Sequence, residues 1–214
     1  MIPRFGERMA ASIVDSSVVY RDLRDAHADL AKAQDSPRDV RRCFSRYVDL
    51  SQRLTSAMRK DFGRLGRKWV AGGFSGWSSV TQLLKHLRNE EQHNNQIFLH
   101  AHELRHFRLP EDIEVVGMGR EFQMTNTWLL SDQLLDSPPQ GLLVSLIDPS
   151  TGRPEPSVEL QPFRITRRYV IAPRDDETKK LLERCGTSDV RELADAASQT
   201  YRKYYEYFIG QAGA

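Results

Sequence analysis

The segment 40–58 carries one continuous apolar stripe at helical spacing, and it is the strongest constraint that this sequence places on its fold. The stripe consists of Val40, Cys43, Phe44, Tyr47, Leu50, Leu54, Ala57 and Met58. Asp35 or Ser36 can cap this helix, and Pro37 suits its first turn. The opposite face, which we interpret as solvated, carries Arg42, Arg46, Arg53, Arg59 and Lys60. The pattern predicts a long amphipathic helix.

The same periodicity predicts three more helices. A first helix covers 16–34, with apolar residues at Val19, Leu23, Ala26 and Leu30. A third helix follows a glycine-rich loop predicted over 61–76, and its apolar residues are Trp77, Val80, Leu84 and Leu87. A closing helix begins after a cap at Thr187 or Ser188. Its inner face consists of Val190, Leu193, Ala194, Ala197, Tyr201, Tyr204 and Phe208.

Between the third and the closing helix the pattern becomes typical of strands. The segments 97–109, 113–130, 141–148 and 158–173 are separated by turn-forming residues. The sequence therefore predicts an α+β fold with an antiparallel sheet of about four strands. We expect a helical bundle over 1–95, a β-rich insertion over 96–173, and a segment 174–214 whose helix completes the bundle.

Composition and charge narrow the setting. The chain has 214 residues and two cysteines, Cys43 and Cys185, which are too few to form a structural zinc site alone. It has no apolar run as long as a signal peptide or a membrane span, so we expect a cytoplasmic protein. Residues 1–109 hold 19 Lys and Arg against 12 Asp and Glu, whereas residues 110–214 hold 12 against 17. Such an asymmetry can attract an anionic partner to the basic part.

A polar cluster lies where the helical sequence gives way to the β-rich sequence. Residues 83–96 read LLKHLRNEEQHNNQ, and no aliphatic residue separates Arg88, Asn89 and His93. On a helical wheel, Val80, Leu84 and Leu87 face the core. A second line is formed by Gln82, His86, Asn89 and His93. Arg88 shares a face with Lys85 and Gln92. Because Arg88 and His93 are five residues apart, they lie about 140° apart around a straight helix and flank a groove.

The stretch LRNEEQH resembles the R-N-x-x-x-H form of the motif that marks the HEPN superfamily. These proteins are helical bundles that include many RNA-cutting toxins and defence effectors of prokaryotes. Arg88, Asn89 and His93 occupy the motif positions, on a late helix that follows a long amphipathic one. The resemblance covers the helical segments and does not extend to the β-rich insertion.

The resemblance implies a metal-independent endoribonuclease that works as a homodimer and needs no cofactor. His93 would be the acid–base residue, Arg88 would hold the scissile phosphate, and Asn89 would orient one of them. Candidate RNA-binding residues are Lys85, His86 and Gln92. His86 could also be a second proton carrier or a plain surface histidine. A toxin or phage-defence role, with an antitoxin protein as partner, follows by analogy with the family.

Other interpretations of the same residues stay open. Arg88, Asn89 and His93 could be a polar helix end that ties the sheet to the bundle. The chain could also be a non-catalytic HEPN-like module that binds nucleotides, RNA or protein. A third alternative is an interaction protein whose contact surface lies in the insertion, with the candidate residues Trp128, Leu129 and Leu130.

A metal site is the weaker explanation of a histidine-rich strand. In a strand over 97–109, His100, His102 and His106 alternate onto one face, and H-x-H is a spacing that metals use. Glu103 would point to the other face, so no carboxylate joins them. Simple polar alternation opposite Ile97, Leu99 and Ala101 explains the histidines, and we expect no metal.

Overall fold

The computed structural model describes residues 14–33, 36–92, 97–111, 119–130, 141–145, 147, 151–153 and 156–213. Across these residues the chain forms five α-helices, five β-strands and a short 3₁₀ turn at Ala71–Gly73. The helices are α1 (Val14–Lys32), α2 (Pro37–Arg64), α3 (Ser79–Gln92), α4 (Asp176–Cys185) and α5 (Val190–Gly213). The strands are β1 (Leu99–Arg108), β2 (Glu121–Leu130), β3 (Leu142–Val144), β4 (Val158–Leu160) and β5 (Arg164–Ile171). None of the helices in this described part of the chain has the length and apolar character needed to cross a membrane.

The chain is a mixed α+β protein, as its sequence predicts, but the segment 174–214 contains two helices where one was expected. The additional helix is α4, and both of its ends carry recognisable signals. Asp175 accepts the N–H of Thr178 at 2.7 Å, and Gly186 adopts the left-handed conformation with φ 71°. The sequence analysis overlooks α4 because its ten residues contain only two aliphatic side chains, Leu181 and Leu182. The pattern is too short for periodicity to reveal.

The β-rich segment forms two small sheets instead of one sheet of about four strands. One sheet has the order β2-β1-β5, and in the other β3 pairs antiparallel with β4. Leu142 lies opposite Leu160, and Val144 lies opposite Val158. The segment 158–173, expected to be one strand, is divided between β4 and β5. Pro162 lies at this break, and proline lacks the N–H that a ladder needs.

The long helix α2 begins where the sequence predicts and ends later than expected. The side chain of Ser36 accepts the N–H of Asp39 at 3.2 Å, and Pro37 occupies the first turn. The expected loop over 61–76 starts only after Arg64, because Asp61 and Phe62 are both buried and continue the packed face of the helix. The prediction of a loop from glycine content was therefore wrong for its first turn.

The start of α5 also differs from the prediction, because Asp189 caps it. The Oδ1 atom of Asp189 accepts the N–H of Arg191 at 2.8 Å and that of Glu192 at 3.3 Å. The hydroxyl of Thr187, a predicted cap, instead accepts the N–H of Asp189 at 3.2 Å. A carboxylate is a strong cap at a helix N-terminus because its charge also complements the helix dipole.

The start of α1 is stabilised by a carboxylate that belongs to α2. Asp61, whose side chain is fully buried, accepts the N–H of Ser16 at 2.7 Å and that of Asp15 at 3.3 Å. Nη1 of Arg64 donates to the same carboxylate at 2.8 Å. The first N–H groups of a helix lack partners within the helix. Asp61 therefore supplies, from a distant part of the chain, the cap that α1 needs.

The chain divides into two compact units, which we call the helical unit and the β unit. The helical unit comprises Met1–Leu99 and Tyr169–Ala214, and the β unit comprises His100–Arg168. The largest fully buried side chains of the helical unit are mostly aromatic, and include Phe44, Tyr47, Tyr201, Tyr204 and Phe208. Burial of each such side chain contributes about 1.5–3 kcal/mol. The helical unit therefore has a large core of its own.

Three aromatic residues fix the irregular segment between α2 and α3. Nε1 of Trp69 donates to the hydroxyl of Tyr204 at 3.0 Å, and the ring centroid of Trp77 lies 4.4 Å from that of Tyr204. The ring of Phe74 lies 5.2 Å from the same tyrosine. Contacts of this kind are favourable beyond their buried area. They hold the turn at Ala71–Gly73 against the body of the helical unit.

The β unit contains both an apolar cluster and a buried ion-pair cluster. The apolar cluster consists of Phe107, Leu109 and Leu160 with partly buried neighbours. On the same face of β1, the fully buried carboxylate of Glu103 accepts hydrogen bonds from Nε of Arg105 and, at 2.6 Å, from Nε of Arg167. The side chains of the predicted contact residues Trp128, Leu129 and Leu130 lie outside the described residues.

Candidate functional site

Helix α3 has two polar faces, separated by the buried side chains of Leu83, Leu84 and Leu87. One face turns towards α2 and carries Lys85, Arg88 and Asn89. The other turns towards α4 and carries His86. Residues 81, 82, 85, 88 and 89 share one side of a helix because of its 3.6-residue period. The predicted site residues are therefore divided between two surroundings.

The first face forms one wall of a groove of about 590 Å³, which we call the α2–α3 groove. From α2 the lining residues are Gln52, Arg53, Thr55, Ser56 and Arg59. From α3 they are Thr81, Gln82, Lys85, Arg88 and Asn89. Ala71, Gly72, Trp77 and Tyr201 complete the lining. A groove of this volume is large enough to accept part of a nucleotide chain or a small ligand.

The α2–α3 groove is strongly basic. Among the residues that the structure describes, four cations line it, namely Arg53, Arg59, Lys85 and Arg88, and no carboxylate does. Two of these cations, Arg59 and Lys85, form no ion pair with any residue in the described part of the chain. Cations along a concave surface concentrate anions there. The groove is suited to a phosphate-bearing ligand.

The guanidinium of Arg88 is held from two sides. Nη1 donates to Oε1 of Gln92 at 2.7 Å, and Nε lies 3.8 Å from Oδ1 of Asp49 on α2. The side chain is 29% exposed, so it is neither sealed in the protein nor free in solvent. Asn89 is exposed, and within the described residues no hydrogen bond occupies its amide. Both residues can reach a ligand in the groove.

The end of the groove near the 3₁₀ turn is less charged and partly aromatic. Trp77 is half-buried there, while Tyr201 is almost fully buried and accepts Nε2 of Gln52 at 3.1 Å. Burial raises the pKa of Tyr201 to about 12. A phenol with so high a pKa stays protonated at neutral pH and cannot act as a base. This end offers contact area and neutral hydrogen-bonding groups.

His86 takes part in a network with α4 and does not line the groove. Its Nε2 lies 3.0 Å from Oγ1 of Thr178 and 3.3 Å from Oδ1 of Asp175. Partial burial acts to raise the pKa of Asp175, but hydrogen bonds from Thr178 and His86 outweigh it and hold that pKa below its usual value. Helical spacing places His86 on one line with Asn89, yet their side chains meet different neighbours. His86 has the contacts of a residue that links two helices.

The remaining predicted site residues are Gln92 and His93. Gln92 accepts a hydrogen bond from Arg88, so it orients that side chain. His93 lies outside the described residues, and so does any geometry between it and Arg88. The described histidines of the helical unit, His27 and His86, do not line the groove. An imidazole in the groove therefore depends on His93.

Two of the three histidines of β1, His102 and His106, form hydrogen bonds with β2, and the three form no metal centre with other described residues. Nδ1 of His102 lies 3.0 Å from Oγ1 of Thr127, and Nδ1 of His106 lies 3.4 Å from Nε2 of Gln123. Among the residues that the structure describes, no three His, Cys, Asp or Glu side chains converge as metal ligands. The cysteines Cys43 and Cys185 are free thiols.

Three residues of this region were not predicted as site residues: Arg53 and Arg59 in the groove and Asp49 beside it. Arg53 and Arg59 were assigned to a solvated face of α2, and Asp49 was given no role. The signal that could have revealed them is that α2 and α3 follow one another along the chain, because consecutive elements are usually adjacent in space. The polar face of α2 then has to meet the polar face of α3.

Comparison of this chain with family models, curated proteins and solved structures found no match. The resemblance to the HEPN superfamily therefore stays a prediction that rests on Arg88, Asn89 and His93. Any function has to be argued from the groove itself.

Proposed function

We propose that the protein is a metal-independent endoribonuclease of HEPN type whose substrate binds in the α2–α3 groove. The observation that carries the proposal is that Arg88 and Asn89 line one open groove together with three more cations and, within the described part of the chain, no carboxylate. Polynucleotides bind proteins mainly through their phosphates, so a basic groove favours them over neutral ligands. The motif residues supply the reactive end of this groove.

The proposed chemistry uses the 2′-hydroxyl of RNA as the nucleophile. A base removes the 2′-hydroxyl proton, the oxygen attacks the adjacent phosphorus, and the 5′-oxygen leaves with a proton from an acid. His93 is the candidate for the proton transfers because imidazole exists in both forms near neutral pH. Arg88 stabilises the negative charge of the pentacoordinate phosphorus, and Asn89 orients a phosphate oxygen. A homodimer would bring a second motif, and thus a second imidazole, to the same substrate.

The decisive experiment is a single-turnover cleavage assay with labelled RNA in excess EDTA. Wild-type protein should cleave, whereas Arg88→Ala and His93→Ala should each lose activity by about 10²-fold or more. Arg38→Ala is the matched control, because Arg38 is an exposed arginine of α2 that does not line the groove. Full activity of His93→Ala, with unchanged circular dichroism, would end the proposal.

A second candidate function is binding of RNA or nucleotides without cleavage. It is favoured by the fact that the described lining of the groove holds four cations and several amide and hydroxyl groups that can bind a phosphate or a base, but no histidine or carboxylate. In that case wild-type protein binds RNA with strong salt dependence and leaves it intact. Lys85→Ala then weakens binding, whereas His93→Ala has no effect on the RNA.

A further inference from the structure

Asp49 lies directly beside the basic groove and contacts two of its arginines. Its Oδ2 atom lies 2.8 Å from Nε of Arg53, one turn later on α2. Its Oδ1 atom lies 3.8 Å from Nε of Arg88 on α3. One carboxylate thus links the two walls of the groove through their arginines. Neither the sequence motif nor the proposed reaction assigns a role to this residue.

The three nitrogens of the Arg88 guanidinium have different surroundings. Nε is buried and makes no hydrogen bond to any described residue, and Oδ1 of Asp49 is the carboxylate oxygen that it faces. Nη1 donates to Gln92 at 2.7 Å. Nη2 has no partner within the described residues. With Nε directed at α2 and Nη1 bound along α3, Nη2 is the nitrogen left to meet a ligand.

A buried donor needs an acceptor, and Asp49 is the group placed to provide one. Buried polar atoms in proteins are almost always hydrogen-bonded, and a carboxylate is a strong acceptor for a guanidinium. A shift of under about 1 Å would bring Oδ1 of Asp49 within hydrogen-bonding distance of Nε. Side chains of Asp49 and Arg88 are 38% and 29% exposed, so this pair contributes little to stability. The effect of the Asp49–Arg88 pair is on the orientation of the Arg88 guanidinium.

The neighbouring acid, Glu91, is not in a position to do the same. Its Oε1 atom accepts the hydroxyl of Ser45 at 2.7 Å, and it makes no ion pair with Arg88. Burial raises the pKa of Glu91, and the negative charge of Asp49 raises it further. Glu91 is thus turned towards the start of α2, which leaves Asp49 as the partner of Arg88.

We propose that Asp49 is a positioning residue that fixes Arg88 so that Nη2 points into the α2–α3 groove towards the scissile phosphate. The proposal rests on the proposed function, because it names the group that prepares Arg88 for that reaction. It also predicts an unusual combination of effects. Asp49 is negative and close to an anion-binding groove, so it weakens binding of RNA while it improves catalysis.

The variant Asp49→Asn separates these two effects because it keeps the size of the side chain and removes its charge. RNA should bind about two- to five-fold more tightly at low salt, since one repulsive charge is lost. The single-turnover rate constant should fall by about 10- to 100-fold, since a misoriented guanidinium loses its alignment with the phosphate. A variant that merely unfolds would bind less tightly and react more slowly. Opposite changes in affinity and rate are therefore specific to positioning.

The experiment measures binding by fluorescence anisotropy and cleavage under single-turnover conditions for wild type, Asp49→Asn and Asp49→Glu. Asp49→Glu should recover at least part of the rate, because it restores the carboxylate. Asp39→Asn is the matched control, since Asp39 forms an ion pair with Arg42 at 3.1 Å on the same helix and does not line the groove. Asp39→Asn should leave affinity and rate unchanged. A parallel fall of affinity and rate in Asp49→Asn would overturn the proposal.

A second measurement tests the positioning without any enzymatic activity. In ¹⁵N-arginine-labelled protein, the Nε–Hε resonance of Arg88, assigned with Arg88→Lys, should exchange slowly with water in wild type and rapidly in Asp49→Asn. An unchanged resonance in Asp49→Asn would overturn the role of Asp49. If wild-type protein cleaves no RNA in EDTA, the proposed function fails, and this measurement still decides whether Asp49 orients Arg88.

Discussion

The two polar faces of α3 differ in how their side chains are satisfied. On the face towards α4, His86 is bonded to Thr178 and lies close to Asp175. On the face towards α2, Lys85 and Asn89 form no hydrogen bond or ion pair with the described residues. Satisfied polar groups link structural elements, whereas unsatisfied ones beside a cavity are available to a ligand.

This difference could not be seen in the sequence, where both faces read as a run of polar residues. His86 and Lys85 are adjacent and equally typical of an RNA-binding surface. Their neighbours, and not their residue types, decide which of them is free. We therefore expect substitutions on the face towards α4 to change stability, and substitutions on the face towards α2 to change RNA binding or cleavage.

The largest effect is expected for Arg88→Lys. Lysine keeps the positive charge but lacks the planar guanidinium, which can bond Gln92 and face Asp49 while a third nitrogen is left for a phosphate. The single-turnover cleavage rate should fall by about 10²-fold, while affinity for RNA changes by about two-fold or less. Rapid-quench kinetics and fluorescence anisotropy measure the two quantities. An unchanged cleavage rate in Arg88→Lys would show that Arg88 acts only as a charge.

On the opposite face, Asp175→Ala should reduce the free energy of unfolding by about 1–2 kcal/mol, because α4 loses its N-cap and His86 loses a partner. Chemical denaturation followed by circular dichroism measures this loss. Affinity for RNA and the cleavage rate should stay the same within two-fold. If RNA affinity fell strongly, the face towards α4 would belong to the binding surface.

Lys85→Ala should have a moderate effect on the face towards α2. Loss of this cation should weaken RNA binding by about five-fold at low salt and reduce the slope of log K against log [salt] by about 0.7 for a single strand. Thermal unfolding should be unchanged, because Lys85 is exposed and forms no ion pair within the described residues. Titrations at three or more salt concentrations give the slope. A slope equal to that of wild type would place Lys85 outside the RNA path.

The smallest effect concerns pH and the charge of Asp175. Its pKa is lower in the folded protein than the ordinary value of 3.8, so the ionised form stabilises the fold at neutral pH. That stabilisation is lost as the pH falls through the folded-state pKa. Asp175→Asn keeps the size of the cap, and its stability should differ from that of wild type by a few tenths of a kcal/mol at pH 7, since the group is well solvated. The difference measured in urea titrations should shrink as the pH falls below 3.8 and vanish below the folded-state pKa.

The sequence predicted the long elements of the fold because their periodicity is strong. The stripe from Val40 to Met58 is found in α2, and the inner face from Val190 to Phe208 is found in α5. The sequence did not predict α4 or the division into two sheets, because these elements are short and Pro162 interrupts a continuous pattern. Local periodicity reports the face that is buried, but in short elements it gives too few repeats.

The candidate site was predictable only on one of its walls. Arg88 and Asn89 were found because they belong to a motif within one helix. Arg53 and Asp49 form an ion pair within α2, as Arg42 and Asp39 do. Nothing in the sequence of this helix distinguishes the first pair from the second. These residues belong to the site because α3 lies beside them, and a single sequence does not show which helices are neighbours. His93 stays a prediction because it lies outside the described residues.

The cap that Asp61 provides for α1 also bears on how the chain is made. Ser16 and Asp61 are 45 residues apart, and a ribosome adds about 5–20 residues per second. Asp61 is therefore added roughly 2–9 s after Ser16, and α1 cannot receive this cap before then. During that time α1 has neither this cap nor the complete apolar face of α2 to pack against. A stall in translation between these two positions would delay the capping of α1.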